Sequence, residues 1–243
     1  MRIIATKCFL LYSQNYLETS ALLTFYSLDF GKITSLAKGI KRIKSRLKPA
    51  REMFSLLTVS IIPPKKNGGI YQLVSVEDIG IEGLSTLLSY KSRLIAYYMT
   101  ELLYVLMPYQ ESDSCVFELY NKTIITLNDD EVEMQLRVFE LGILDALGYG
   151  INFKTDSEGM ILNDLSYYCY NPLEQAIKVK SYCKNSFSGK LIKFIGLGSS
   201  RWGSAELIAL KYIMKINIKA VLAGRELKTR KAFRDYLNLD SNL

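Results

Sequence analysis

The chain has 243 residues, 49% of them apolar, 12% aromatic and 23% charged, with 31 Lys+Arg against 24 Asp+Glu and no histidine. This composition excludes a disordered tail, and the length leaves room for two domains of ordinary size, each with its own core. Without an imidazole, Ser-His-Asp and Cys-His catalysis and histidine-ligated zinc are excluded, so an enzyme here would depend on carboxylates, lysines or a bound cofactor.

The net charge of +7 is segregated along the chain. Residues 1–80 carry 12 basic and 5 acidic side chains, residues 81–150 carry 4 and 11, and residues 151–243 carry 15 and 8. This pattern predicts a basic surface at each end and a more acidic segment between them. Cysteines stand at 8, 115, 169 and 183, with no C-x₂₋₄-C pair. Sparse cysteines in a chain of this size predict reduced, mostly buried thiols, with no disulfide framework and no metal site. No segment reaches the ~18–20 apolar residues of a membrane span. The longest apolar run, Leu94 to Met107, is interrupted by Thr100 and Glu101, and Lys7 interrupts the N-terminal one. A soluble, unprocessed, cytoplasmic protein is expected.

The first 80 residues read as short strands. Ile3–Leu11 and Leu22–Tyr26 are separated by the polar, turn-like Ser13–Asn15, and Phe30-Gly31-Lys32 leads into Ile33–Ala37. Phe54–Ile62 is β-rich and stops at Pro63-Pro64; residues 65–69 form a hairpin loop before Ile70–Val76. Five strands without a long helix predict a small closed barrel, of the OB type or another type with the same strand count. After Gly80 the period changes to helical. Helices are expected over Leu84–Met107, Ser114–Leu127, Asp129–Leu147 (ended by Gly148 and Gly150), Ser204–Leu222 and Lys228–Leu237. Residues 151–190 form an irregular insert in which Tyr167–Tyr170 could be a strand. The fold class is therefore α+β, with domains at 1–80 and 81–243.

The densest chemical feature is Lys38–Arg51. Lys38, Lys41, Arg42, Lys44, Arg46, Lys48 and Arg51 make seven of its fourteen residues basic, and none is acidic. A basic loop between strands can track a phosphate backbone, because each neutralised phosphate releases counterions; the bland reading is a solubilising loop. Lys65 and Lys66 could extend the stripe, and Tyr12 and Tyr16 could stack on bases or simply pack. The acidic run Asp129–Glu133 invites a metal-dependent nuclease reading, but no second acidic constellation supplies the remaining ligands. Asn128 or Asp129 capping the next helix accounts for it better. Gly196–Ser200 lacks the lysine of a phosphate-binding loop.

Several motifs, taken in order, resemble the bacterial RecO family. They are the basic Ala37-Lys38-Gly39 loop, Glu18-Thr19-Ser20, Tyr98…Glu101-Leu102-Leu103, Leu136-Arg137-Val138-Phe139-Glu140-Leu141…Leu147-Gly148-Tyr149-Gly150, and Leu222-Ala223-Gly224-Arg225-Glu226-Leu227-Lys228-Thr229-Arg230. The resemblance runs from residue 18 to residue 230 and implies an N-terminal OB-fold barrel on a helical C-terminal domain. It also implies binding of single- and double-stranded DNA, annealing of complementary strands, and help in loading RecA onto DNA coated by single-stranded-DNA-binding protein. The implied partners are RecR and the C-terminal tail of that coating protein, in the cytoplasm at the nucleoid, with no enzymatic activity and no cofactor. Some members carry a four-cysteine zinc site in the region of 150–190; with only Cys169 and Cys183 there, no zinc is expected. No longer C-terminal tail is expected either.

On this reading one strand lies along Lys38–Lys48 and another along Lys219, Arg225, Lys228, Arg230, Lys231 and Arg234. The acidic tail of the coating protein, ending in a free carboxylate, needs a cation beside an apolar groove. Arg137 is the only basic residue between Lys122 and Lys154 and is the expected partner, unless it pairs locally with Glu133. The rival classes are a nuclease using Asp129–Glu133 and an RNA-binding OB-fold protein.

Overall fold

Apolar residues alternating along the first 80 positions build five strands: β1 (Ile4–Tyr16), β2 (Ser20–Ser27), β3 (Gly31–Ala37), β4 (Leu57–Ile62) and β5 (Tyr71–Asp78). The computed structural model describes residues 2–232 except 67, 82, 173, 180 and 231. The strands close into a barrel in the order β1-β2-β3-β5-β4. β3 and β5 run parallel (Ser35 opposite Tyr71), and the other neighbours run antiparallel. This is the OB fold, in which closure removes exposed strand edges.

Closure depends on β1. Its first half, Ile4–Cys8, pairs with β4, and its second half, Cys8–Tyr16, pairs with β2, with a register shift between Leu10 and Tyr12. A bulge of this kind bends a strand and raises its twist, so one strand can join two sheet edges. Cys8, Leu10, Leu23, Phe25, Ile33, Leu57, Val59, Ile61 and Leu73 fill the barrel. Phe9 points the other way and is still fully buried, with ring centroids 5.2 Å from Phe117 and 4.9 Å from Tyr120.

The polar Ser13–Asn15 belongs to β1 and is not a turn; its backbone pairs with Leu23, Leu22 and Ala21 at the solvated end of the hairpin. The turn falls at 17–19, with Leu17 at φ +54°. Phe54 lies outside β4 because it takes φ +68°, turning its ring towards Tyr97 at 4.9 Å.

The helix expected over Leu84–Met107 is two helices, α1 (Leu84–Leu87) and α2 (Tyr90–Leu106). Leu88 is extended between them, and Ser89 caps α2 by accepting a 3.1 Å hydrogen bond from the Ser92 N–H. The Ser89 and Ser92 hydroxyls each donate to Asp129 at 2.5 Å. Asp129 thus serves the start of α2 and not the following helix, correcting the expected cap. These two hydroxyl donors hold its carboxyl below the ordinary range. In α3 (Ser114–Thr126) the Asp113 side chain accepts from the Val116 N–H at 3.0 Å. β3 is fixed to the last turn of α2 and the segment after it. Gly31 sits where a Cβ would lie 1.9 Å from the Glu111 carbonyl, and buried Lys32 donates to the Tyr104 carbonyl at 2.7 Å and lies 4.4 Å from the Tyr109 ring.

The described chain forms two compact units: residues 1–129 with those from 227 onward, and residues 130–226. The first unit combines the barrel with α1–α3. Glu101 of α2 accepts the Lys228 and Thr229 N–H groups at 2.8 and 2.9 Å, where the chain turns helical again at 228–230. Most of the helix expected over Lys228–Leu237 lies outside the described residues.

The second unit holds α4 (Val132–Ala146), β6 (Tyr167–Asn171), β7 (Gln175–Val179), β8 (Ser186–Ser188), α5 (Gly189–Ile195) and α6 (Ser204–Leu222). The irregular insert therefore contains an antiparallel sheet in the order β7-β6-β8. α4 packs on α6. It ends in a Schellman motif: Gly148, at φ +79°, donates to the Asp145 carbonyl, and the Tyr149 N–H reaches the Leu144 carbonyl at 2.8 Å. Of the four cysteines only Cys8 is buried; Cys169 is half-buried, and Cys115 and Cys183 are exposed, against the expectation of mostly buried thiols.

Phe9→Ala should destabilise the first unit by about 3–5 kcal/mol, read from urea denaturation, because it removes a fully buried ring from between β1 and α3. Asp129→Asn tests the lowered carboxyl. A depressed carboxyl stabilises above its ordinary titration range, and that contribution is lost as pH falls through the folded value. The difference in urea midpoint between wild type and variant should be largest at neutral pH and close on acidification; a gap independent of pH would count against this role.

Candidate nucleic-acid interface

The basic segment leaves β3 at Ala37 and returns to β4 at Leu57. Buried Ile40 and Ala50, with partly buried Leu47 and Met53, pack on the barrel core and hold the segment down. A 3-10 turn forms at Lys48–Arg51, started by Pro49 in its first turn. The Lys41 N–H donates to the Thr19 carbonyl at 3.0 Å and Lys41 Nζ to the Leu17 carbonyl at 3.1 Å, joining the segment to the β1–β2 turn.

With the apolar side chains turned inward, the charges face solvent. Lys38, Arg42, Lys44, Arg46, Lys48 and Arg51 are exposed and Lys41 is half-buried. Among the described residues none of these seven forms an ion pair. Lys65 and Lys66, on the β4–β5 connection, are exposed as well. A groove of about 730 Å³ beside the 3-10 turn is lined by Lys48 but also by Glu52 and Asp78. Asp78 accepts from the Ser55 hydroxyl at 2.8 Å and the Gly80 N–H at 3.0 Å. Two carboxylates make this groove a poor phosphate path, so the outer surface of the loop is the candidate.

Two apolar side chains that sequence reasoning missed stand among these cations. Ile43, between Arg42 and Lys44, is 88% exposed, and Leu17 on the joined turn is 75% exposed. Ile40, Ile43, Leu47 and Ala50 share a helix-like spacing that would group them on one face, so only the fold separates Ile40, turned inward, from Ile43, turned outward. Tyr12 and Tyr16 are both exposed, and the Tyr12 ring lies 5.1 Å from that of Tyr104.

The C-terminal cations fall on both units. Lys219 is exposed on α6, in line with exposed Lys211 and Lys215. Their i, i+4, i+8 spacing forms one ridge, a signal present in the sequence and not used there. Arg225 turns back on α6, donating to the Leu222 and Val221 carbonyls at 3.0 and 3.2 Å and closing the helix end. Lys228 is exposed and Arg230 half-buried, both in the first unit. Lys231 and Arg234 lie outside the described residues.

Arg137 is nearly buried on α4 and pairs with Glu140 at 2.6 Å, not with Glu133. The acidic run 129–133 is divided: Asp129 binds Ser89 and Ser92, and among the described residues no three His, Cys, Asp or Glu side chains converge on a possible metal position. No helix among them is long and apolar enough to cross a membrane.

Comparison with known proteins bears on what this surface serves. Residues 1–81 match the family model for the recombination protein O N terminal domain, and residues 88–193 match the model for its C terminal domain. A DNA repair protein RecO of Francisella philomiragia is 30% identical over 232 residues, covering 95% of this chain and 96% of that protein. DNA repair proteins RecO of Coxiella burnetii and Photobacterium profundum are 29% and 30% identical, covering 95% and 93% of this chain. With both family models matched in order on an OB-fold barrel and the helices that follow it, the chain belongs to the RecO family of DNA repair and recombination proteins.

Proposed function

We propose that this protein acts in repair as a strand-holding mediator. It binds single- and double-stranded DNA, anneals complementary strands, and assists RecA loading onto DNA coated by single-stranded-DNA-binding protein, with RecR as a partner. The observation that carries this reading is the Lys38–Arg51 loop: six exposed cations, without ion pairs among the described residues, held in place by buried Ile40 and Ala50. Preorganised cations on a rigid base meet a phosphate backbone with less ordering cost than a free tail would incur.

Annealing requires two backbones to approach while their bases stay free to pair. Cations on one face of the loop screen the phosphates of one strand, and Ile43 and Leu17 contact base faces without reading sequence. The α6 ridge Lys211, Lys215 and Lys219 supplies cations for a second strand. No group on this surface needs to exchange a proton or bind a metal for that work.

Arg137 receives the C-terminal carboxylate of the coating protein's tail. Its guanidinium has five donors, and the pair with Glu140 engages one nitrogen, leaving others for a second carboxylate.

Changing Lys38, Arg42, Lys44 and Arg46 together to Ala should reduce the slope of log affinity against log salt for single-stranded DNA by roughly 3. Ile43→Ser should weaken the same binding and leave the slope unchanged. Fluorescence anisotropy across a salt series reads both, and an affinity insensitive to salt in wild type would overturn the reading. Arg137→Ala should weaken an acidic peptide with a free C-terminal carboxylate about tenfold or more, roughly 1.4 kcal/mol. Glu140→Gln should retain the peptide, and normal binding by the Arg137→Ala protein would remove Arg137 from this role.

A further inference from the structure

Two thiols of the second unit meet at the edge of its sheet. Cys169, in β6, and Cys183, in the turn before β8, bring their sulfurs to 3.5 Å. The backbone fixes both. Cys169 lies opposite Ser186 in the β6–β8 ladder. Ser186 in turn holds Cys183: its hydroxyl accepts from the Cys183 N–H at 3.0 Å and donates to the Cys183 carbonyl at 2.8 Å, and its own N–H reaches that carbonyl at 3.0 Å. Asn185, at φ +68°, makes the turn that allows this clamp. The Tyr182 ring meets the Tyr167 ring edge-on at 5.5 Å, holding the turn against β6.

We propose that Cys169 and Cys183 form an oxidisable dithiol that closes to an intramolecular disulfide when the protein meets hydrogen peroxide. A metal is not the better occupant. Two sulfurs leave a tetrahedral site half empty, and among the described residues no third His, Cys, Asp or Glu joins them. The other cysteines lack this arrangement: Cys8 is wholly buried in the barrel, and Cys115 is exposed on α3 in the other compact unit.

Exposure sets the order of events. Cys183 is open to solvent, whereas Cys169 is half-buried and its thiol is pushed up by burial and by the hydrogen bond and charge of Cys183. The Cys183 sulfur, as thiolate, attacks one peroxide oxygen; the O–O bond breaks, and the sulfenic acid forms as hydroxide leaves and takes up a proton to become water. The Cys169 sulfur, losing its proton, then attacks the Cys183 sulfur. The S–S bond forms, the S–O bond breaks, and a second water departs. Two electrons pass from the sulfur pair to the peroxide, and a dithiol reductant reverses the change. The closed bond ties β6 to the turn before β8, across a chain loop that also carries Lys178 and the β7 strand.

The test is peroxide treatment of the full chain, followed by alkylation, intact mass and peptide mapping. A loss of two hydrogen atoms, a linked Cys169–Cys183 peptide and continued alkylation of Cys115 are expected, with full reversal by dithiothreitol. Cys169→Ser should stop the reaction at a Cys183 sulfenic acid that dimedone captures, and Cys183→Ser should abolish the mass loss. A Cys115→Ser protein removes cross-linking between molecules as a competing route. Oxidation of Cys183 to sulfinic acid in wild type, or alkylation of both Cys169 and Cys183 after peroxide, would overturn the proposal.

Discussion

Placing β5 between β3 and β4 is the constraint from which the candidate interface follows. Two consecutive strands that are not neighbours in a closed barrel cannot be joined by a tight hairpin, so residues 38–56 must cross one end of the barrel. A connection of that length would ordinarily be mobile. Here Ile40 and Ala50 sink into the barrel core, and Leu47 and Met53 cover its rim. The intervening positions are then left to solvent, and those are the positions occupied by lysine and arginine. One topological requirement thus yields a long, fixed surface loop, and the alternation of apolar anchors with cations turns it into a charged one.

Holding so many like charges on one loop costs stability through mutual repulsion, moderated by water and salt. The side chains are exposed, so the repulsion is screened and the charges keep their hydration. The same exposure makes them available to a polyanion. A buried arrangement such as Arg137 with Glu140 works differently: the charges are taken from water and depend on each other's position. The α4 helix and the basic loop therefore place cations in opposite environments, one buried against a fixed carboxylate and the other open to solvent.

The barrel was legible because each strand buries apolar residues against a single interior, and the count of five with no long helix between them leaves few closed solutions. What misled were positions where the partner element decides. Ser13–Asn15 is polar enough for a turn, yet pairs along β2 because the hairpin projects into solvent. Leu84–Met107 is apolar enough for one helix, yet Ser89 and Ser92 bind Asp129, forty residues away, and start a new one. The basic loop could be located from composition alone, since charge density needs no knowledge of fold. The exposure of Ile43 could not, because nothing local distinguishes an isoleucine anchored in a core from one presented to solvent three residues later.

The α4 motif and the basic loop were legible in the sequence for different physical reasons. Leu136, Phe139, Ile143 and Leu144 are buried in the second unit, and Gly148 with Tyr149 closes α4 through a left-handed turn. Such positions are set by packing and backbone geometry, so they repeat as an ordered pattern that a sequence can display. The cations of the 38–51 loop have no such restriction, because an exposed charge one or two positions away leaves the packing unchanged. The motif on α4 is therefore set by the core of the second unit, whereas the exposed cations of the first unit's loop are tied to no packing position.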